Sequence, residues 1–219
     1  MKILDAKLKI EKLANIPFKE YLSPAQIEDA EMIINKGKTG QLLELTIGLN
    51  LSNTTLDFED GELKTNKSNS LGQPTQTMFI TQIASIIDEL LSIKPFEETK
   101  LYKKISRMLY VRISKDGSPS EWMFLEPILV DLALDKYSAL ATQLETDYLD
   151  ICDALNDQLC TSSKAMLHTT NGKFIQIRTK DSRPYKPIYS QSYKRVVSDK
   201  NRAFYFKLDG LKYIVSLGS

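Results

Sequence analysis

The densest group of side chains able to do chemistry is D57-F-E-D-G-E-L-K64, which places four carboxylates and one lysine within eight residues. Carboxylates this close repel one another, and a divalent cation relieves the repulsion; Mg²⁺ takes one or two carboxylates and keeps several waters. A bound Mg²⁺ lowers the pKa of its water and stabilises charge that develops on a phosphoryl group. The stretch therefore fits metal-dependent phosphodiester hydrolysis. It equally fits a solvated acidic turn, because short patterns of this kind are frequent by chance.

The local geometry of this stretch can be predicted from its turn signal. Asp60-Gly61 favours a two-residue type I′ turn between strand-forming residues, and cross-strand partners then share one face of the hairpin. Because strand side chains alternate between faces, Phe58 and Leu63 are expected to point into the core. The polar residues expected together on the other face are Asp57, Glu59, Glu62 and Lys64.

Composition limits the remaining chemistry. The chain has 219 residues, enough for one domain or for two small lobes that share a core. It contains no apolar run of membrane-spanning length and begins with a charged segment, so we expect a cytoplasmic protein without a membrane partner. Cys152, Cys160 and the lone His168 show no metal-ligand spacing. A zinc site and a histidine-based triad are therefore disfavoured, and carboxylates, lysines and arginines remain.

A formal net charge of +1 hides a strong separation of charge along the chain. Eight acids oppose one lysine between Glu126 and Asp157, whereas eleven bases oppose two acids between Lys164 and Lys207. Tyrosines are interleaved with these bases, a mixture that can contact phosphate, sugar and base edges. The segment 164–207 therefore favours a polyanionic partner such as DNA, although a solvated basic face has the same composition.

Hydrophobic periodicity predicts a mixed α/β fold. Helices are expected within 1–35, over 41–48 and within 127–160, and strands over 77–83, 108–113, 173–178 and 203–207. The region 181–200 is expected to be a basic loop, and a final hairpin is expected through Asp209-Gly210. We interpret 1–219 as a single nuclease domain with a catalytic lobe, 1–95, and a DNA-binding lobe, 96–219.

Five collinear stretches carry a resemblance to a known family. They are N35-K-G-K-T-G-Q-L-L-E44, D57…G-E-L-K-T65, S70-L-G-Q-P-T-Q-T-M-F79, G172-K-F-I-Q-I-R-T-K180 and R202-A-F-Y-F-K207. Together they resemble the MutH family, which comprises the methyl-directed mismatch-repair nicking endonuclease and related GATC-cutting restriction endonucleases of the PD-(D/E)xK class. The resemblance implies a restriction-endonuclease-like α/β fold, with a mixed central sheet flanked by helices and two lobes around a DNA cleft.

The resemblance also implies roles for individual residues. Its catalytic residues would be Asp57, Glu62 and Lys64, with Glu44 as an accessory acid and Lys104 near the scissile phosphate. Mg²⁺, with Mn²⁺ as a substitute, would bind Asp57, Glu62 and the backbone carbonyl of Leu63. The interval from Asp57 to Glu62 is two residues shorter than in the family, so Glu59 remains an alternative for the first metal-binding acid.

Double-stranded DNA is the expected partner, and the residues expected to contact it come from the resemblance and from the basic segment. They are Lys36, Arg178, Lys180, Arg183, Lys186, Lys194, Arg195, Tyr205 and Lys207. In the family, the tyrosine matched by Tyr205 is linked to sensing adenine methylation.

Three functions are compatible with this pattern. We favour a type II restriction endonuclease that cuts a GATC-like site and has a cognate DNA methyltransferase, because the region 181–201 has no recognisable equivalent in the family and the acidic hairpin is short. The first alternative is a nickase of hemimethylated GATC that works with mismatch-repair proteins. The second is a DNA-binding module without catalysis, in which the acidic hairpin is only a polar turn.

Overall fold

The structure is a computed structural model that describes residues 1–32, 38–49, 56–180 and 186–218. The chain is divided between two units built from discontinuous segments. Unit 1 consists of Met1–Gln76, Ser106–Asp131 and Ile214–Ser219, and unit 2 of Thr77–Ile105 and Leu132–Tyr213. The chain therefore crosses between the units several times, whereas the sequence suggested one boundary near residue 95.

Helices and strands are numbered in chain order over these described ranges. The helices are α1 (Ile3–Glu11), α2 (Pro24–Met32), α3 (Lys38–Thr46), α4 (Ile87–Leu91), α5 (Lys100–Ile105), α6 (Ser138–Cys160) and α7 (Leu208–Gly218). The strands are β1 (Glu62–Ser68), β2 (Met78–Gln82), β3 (Arg107–Ser114), β4 (Met123–Phe124), β5 (Ile128–Asp131), β6 (Thr170–Asn171), β7 (Ile175–Thr179), β8 (Ile188–Ser190), β9 (Arg195–Ser198) and β10 (Arg202–Phe206).

Unit 1 contains a mixed sheet centred on β3. Strand β1 runs parallel to β3 with Glu62 opposite Met108, and β4 and β5 pair with β3 in the antiparallel sense. The sequence of β3, R-M-L-Y-V-R-I-S, is buried along most of its length, as expected for a central strand flanked by others. Helix α1 buries Ile3, Ala6 and Ile10 in the core of this unit.

Unit 2 contains a second sheet, in the order β2-β10-β7-β6, and the separate hairpin β8-β9. All five residues of β10 are buried, which fits its position between β2 and β7. The long helix α6 buries leucines and aromatic residues at three- and four-residue steps, among them Leu140, Leu144 and Tyr148.

The mixed α/β prediction is confirmed, but two of its details are wrong. The chain forms separate sheets in the two units rather than one central sheet, and residues 208–218 form α7 instead of a final hairpin. Leu211, Ile214 and Val215 are buried at helical spacing. Gly210 is required by close packing, because a Cβ atom there would lie 2.8 Å from the carbonyl oxygen of Phe174. The region expected as a basic loop contains the hairpin β8-β9.

Within the described ranges, each helix is too short or too polar to span a bilayer.

Candidate functional site

Helix α3 brings Glu44 towards strand β1 through a close contact made by Gly40. A Cβ atom on residue 40 would lie 2.9 Å from Oγ1 of Thr65, so the helix approaches the strand closely at this point. Residues four apart lie on the same face of a helix. Glu44 is therefore on the side of α3 that faces β1, and it is half-buried there.

The acidic hairpin turns one residue earlier than predicted. Phe58 pairs with Gly61, and its N–H donates to the Gly61 carbonyl at 2.9 Å, so the turn is Glu59-Asp60 and not Asp60-Gly61. Gly61 is required by packing rather than by a turn, because a Cβ atom there would lie 2.8 Å from the carbonyl oxygen of Arg107. The Asp60 carboxylate fixes the turn, since it accepts hydrogen bonds from Ile3 N–H at 2.8 Å and from the Arg107 guanidinium at 3.0 Å.

Two carboxylates and the lysine lie together at the start of β1. Lys64 Nζ donates to Glu62 Oε1 at 2.6 Å, and the two side chains retain only 11% and 3% of their exposure. Asp57 Oδ2 accepts the N–H of Leu63 at 2.9 Å. The main chain of Leu63, whose carbonyl was predicted as a metal ligand, therefore lies next to the carboxylate of Asp57.

Glu44 belongs to the same electrostatic cluster. Its pKa is raised first by burial and further by the negative charges of Asp57 and Glu62, whereas Lys64 acts in the opposite direction. Glu44 therefore lies within electrostatic range of Asp57, Glu62 and Lys64. The structure thus gathers the four predicted residues Glu44, Asp57, Glu62 and Lys64, which we call the acidic cluster.

Glu59 lies outside the acidic cluster, in contrast to the face assignment made from the sequence. Its side chain is 64% exposed and forms an ion pair with the N-terminal ammonium group at 2.9 Å. The shift of the turn explains this position, because Glu59 lies in the turn and not in a strand. The geometry therefore favours Asp57 over Glu59 as the first metal-binding acid.

The donor types of the acidic cluster fit Mg²⁺, although they do not form a complete cage. Within the described residues, no three Asp, Glu, His or Cys side chains are arranged to hold a metal ion by themselves. Mg²⁺ does not require three, because it binds one or two carboxylates and fills its remaining positions with water or substrate oxygens. Asp57, Glu62 and the Leu63 carbonyl supply only hard oxygen atoms.

Unit 2 presents two cations against two aromatic rings on neighbouring strands. The guanidinium of Arg178 lies 4.3 Å from the ring centre of Tyr205, and Lys180 Nζ lies 4.7 Å from that of Phe79. The two rings meet edge to face at 5.7 Å. Three of these residues, Arg178, Lys180 and Tyr205, were predicted to bind DNA, and Tyr205 itself is buried at 8% exposure. The sequence did not single out Phe79, which is 37% exposed. The exposure of Phe79 could not be read from the sequence, because a phenylalanine in a strand pattern is expected to be buried in the core.

The other predicted site residues have different surroundings. Lys104 is half-buried on α5 in unit 2. Lys186 and Lys194 are exposed, in unit 2. Arg195 and Lys207 hold the protein's own main chain: Arg195 donates to the carbonyls of Ala165 and Leu159, and Lys207 to that of Gly172. Lys36 and Arg183 lie outside the described residues.

Comparison with known proteins supports a distant relationship. No protein-family model matches the chain. The chain is 26% identical, over 182 residues, to the DNA mismatch repair protein MutH of Buchnera aphidicola subsp. Baizongia pistaciae, and the aligned part covers 80% of this chain and 79% of that protein. The similarity therefore extends over most of both chains.

Proposed function

We propose that this chain is a Mg²⁺-dependent endonuclease that hydrolyses phosphodiester bonds in double-stranded DNA at a specific sequence. The observation that carries the proposal is the convergence of Glu44, Asp57, Glu62 and Lys64 in the acidic cluster. The similarity to a MutH protein along most of the chain supports it.

The residues of the acidic cluster have distinct proposed tasks. Asp57, Glu62 and the Leu63 carbonyl would hold Mg²⁺, which when bound lowers the pKa of a water and offsets charge on the phosphate. Lys64, now bonded to Glu62, supplies a positive charge that orients the attacking water against the phosphate. Glu44, half-buried at the edge of the cluster, adds a further carboxyl group beside the proposed metal ligands. In-line attack would leave 5′-phosphate and 3′-hydroxyl ends.

The cation–aromatic surface of unit 2 would hold the DNA. Arg178 and Lys180 can bond to phosphates or to base edges, and the exposed ring of Phe79 supplies flat apolar contact. Tyr205 is buried, so its ring supports Arg178 from inside the unit. Each ring already supports one of the cations, so the charged groups are held in place before DNA binds.

Two biological roles are compatible with this chemistry. We favour a type II restriction endonuclease acting on a GATC-like site in the cytoplasm, protected by a cognate DNA methyltransferase, because the hairpin β8-β9 occupies the region without a recognised family equivalent. The specific observation that favours a mismatch-repair nickase of hemimethylated GATC, with mismatch-repair proteins as partners, is the similarity to a MutH protein.

Incubation with supercoiled plasmid that contains GATC, with Mg²⁺ or Mn²⁺, tests the proposal. The expected result is discrete linear fragments with 5′-phosphate ends, and nicked circles without linear product would instead indicate the repair role. DNA binding without cleavage in the presence of either ion would overturn the proposed nuclease activity and would support a DNA-binding module without catalysis.

A further inference from the structure

The hairpin β8-β9 in unit 2 has one buried face and one exposed face. Ile188 and Val197 are buried on the inner side, at 1% and 0% exposure. Tyr189 and Val196 are cross-strand partners, and they remain 49% and 41% exposed. The hairpin therefore displays an aromatic and an aliphatic side chain on the side that faces away from the core.

The carboxylate of Asp88, on α4, holds the turn of this hairpin. Asp88 Oδ1 accepts the hydroxyl of Ser190 at 2.6 Å and the N–H of Ser192 at 3.1 Å, and Oδ2 accepts the N–H of Gln191 at 3.0 Å. Three hydrogen bonds to one charged group fix the turn against the body of unit 2.

The other strand is fixed independently. The guanidinium of Arg195 donates to the carbonyls of Leu159 and Ala165, at and just beyond the end of α6. The hairpin is thus held at its turn and at the start of β9, so its exposed face has a defined position.

Lys194 occupies the left-handed region, with φ at +50°. Glycine or asparagine is favoured in that conformation, and a lysine there carries backbone strain. Lys194 is exposed beside the turn. A positive charge is therefore present at the tip of the hairpin although glycine would suit the backbone better.

We propose that the hairpin β8-β9 reads DNA sequence from the major groove, with Tyr189, Lys194 and Val196 as the reading side chains and Asp88 as the positioning residue. A two-stranded ribbon fits the major groove, where lysine and tyrosine can donate to base acceptors and an aliphatic side chain can contact the thymine methyl group. The exposed Lys186, Lys194 and Lys200, in and beside the hairpin, outnumber the one exposed acid there, Asp199, and favour a polyanion as the occupant. This inference rests on the proposed function and assigns the specificity of the same enzyme.

The test couples protein variants to changes in the major groove. After the cleaved ends of wild-type products have defined the site, duplexes with 7-deazapurines at single positions remove N7 acceptors and leave base pairing intact. Affinity is measured with Ca²⁺ in place of Mg²⁺. We expect at least one 7-deazapurine to weaken DNA binding by the wild type about fivefold or more. The same base change should not weaken DNA binding by Lys194→Gly or by Tyr189→Phe, because the side-chain group that contacts N7 is already absent.

Two control variants test whether the loss of the response to 7-deazapurines is specific to the hairpin, or follows from any removed lysine or any change at a residue in the left-handed region. Ile93→Gly replaces another residue in the left-handed region, at φ +50°, without removing a charge, and Lys212→Ala removes an exposed lysine outside the basic segment. Both should respond to 7-deazapurines as wild type does. Equal responses in wild type and in all hairpin variants would overturn the inference, whereas failure of wild type to bind and cut DNA would overturn the proposed function itself.

The positioning role of Asp88 has its own test. In Asp88→Ala the amides of Gln191 and Ser192 should exchange with solvent deuterium faster, and discrimination between the site and single-base variants should fall about as far as in the hairpin variants. Asp88→Asn, which keeps one acceptor oxygen, should recover part of both properties. Faster exchange with unchanged discrimination would show that Asp88 is only structural.

Discussion

The amine of Lys64 lies 2.6 Å from the carboxylate of Glu62, two residues earlier on β1. Residues two apart share a face of a strand, and both side chains are largely withdrawn from solvent. A lysine held this way keeps a fixed position next to the proposed metal ligand, in contrast to the mobility of an ordinary surface lysine.

Substitution of Lys64 by alanine should abolish cleavage and leave DNA binding intact. The positive charge that orients the attacking water is lost, so we expect the single-turnover rate to fall about 100-fold or more, while affinity measured with Ca²⁺ changes less than about threefold. Lys67→Ala is the matched control, because Lys67 lies on the same strand but is exposed. Retained cleavage in Lys64→Ala would remove this residue from the mechanism.

Asp57→Asn and Glu59→Gln should separate the two candidate first acids. The amide oxygen introduced by Asp57→Asn can still accept the N–H of Leu63 that Asp57 accepts at 2.9 Å, so the change removes charge with little loss of structure. We expect Asp57→Asn to lower the cleavage rate about 100-fold and Glu59→Gln to stay near wild type, measured at several Mg²⁺ concentrations. The opposite ranking would reassign the metal site to Glu59.

Glu44→Gln should stabilise the protein in EDTA at neutral pH. Burial and the charges of Asp57 and Glu62 raise the pKa of Glu44 above its ordinary value of 4.5. A raised pKa in the folded state means that ionisation costs stability as the pH rises above 4.5 and through the folded-state value. Glutamine cannot ionise, so we expect the Tm at pH 7 to rise by roughly 2 °C and the gain to disappear below pH 4.5.

Glu28→Gln controls for the general effect of removing an acid, because Glu28 is exposed and its replacement should change the Tm little. A lower Tm for Glu44→Gln than for wild type at pH 7 would contradict the electrostatic account of the cluster.

The sequence predicted part of the acidic cluster correctly, because the positions of Glu62 and Lys64 depend on neighbouring residues of one strand. Alternation along β1 was enough to place Glu62 and Lys64 on one face. The position of the turn was mispredicted because Gly61 is required by the carbonyl of Arg107, a contact between residues that are distant in sequence. The role of Asp88 was invisible for the same reason, since it bonds to Ser190 across 102 positions.

Asp147 should be among the most costly acids to remove, although no sequence pattern singled it out. It is 1% exposed on α6 and accepts the N–H groups of Lys173, Phe174 and Ile175 at 2.8, 2.6 and 2.9 Å. These bonds fix the chain where it enters β7, the strand that carries Arg178.

Alanine at position 147 would leave three N–H groups without their acceptor, and hydrogen bonds to a charged group contribute about 1.5–3 kcal/mol each. We expect Asp147→Ala to lower the free energy of unfolding by at least about 3 kcal/mol in urea titrations. Asp153→Ala, an exposed acid on the same helix, should change it by less than about 0.5 kcal/mol. If the two variants are equally stable, the carboxylate of Asp147 does not organise the entry to β7, and the placement of Arg178 must depend on the neighbouring strands alone.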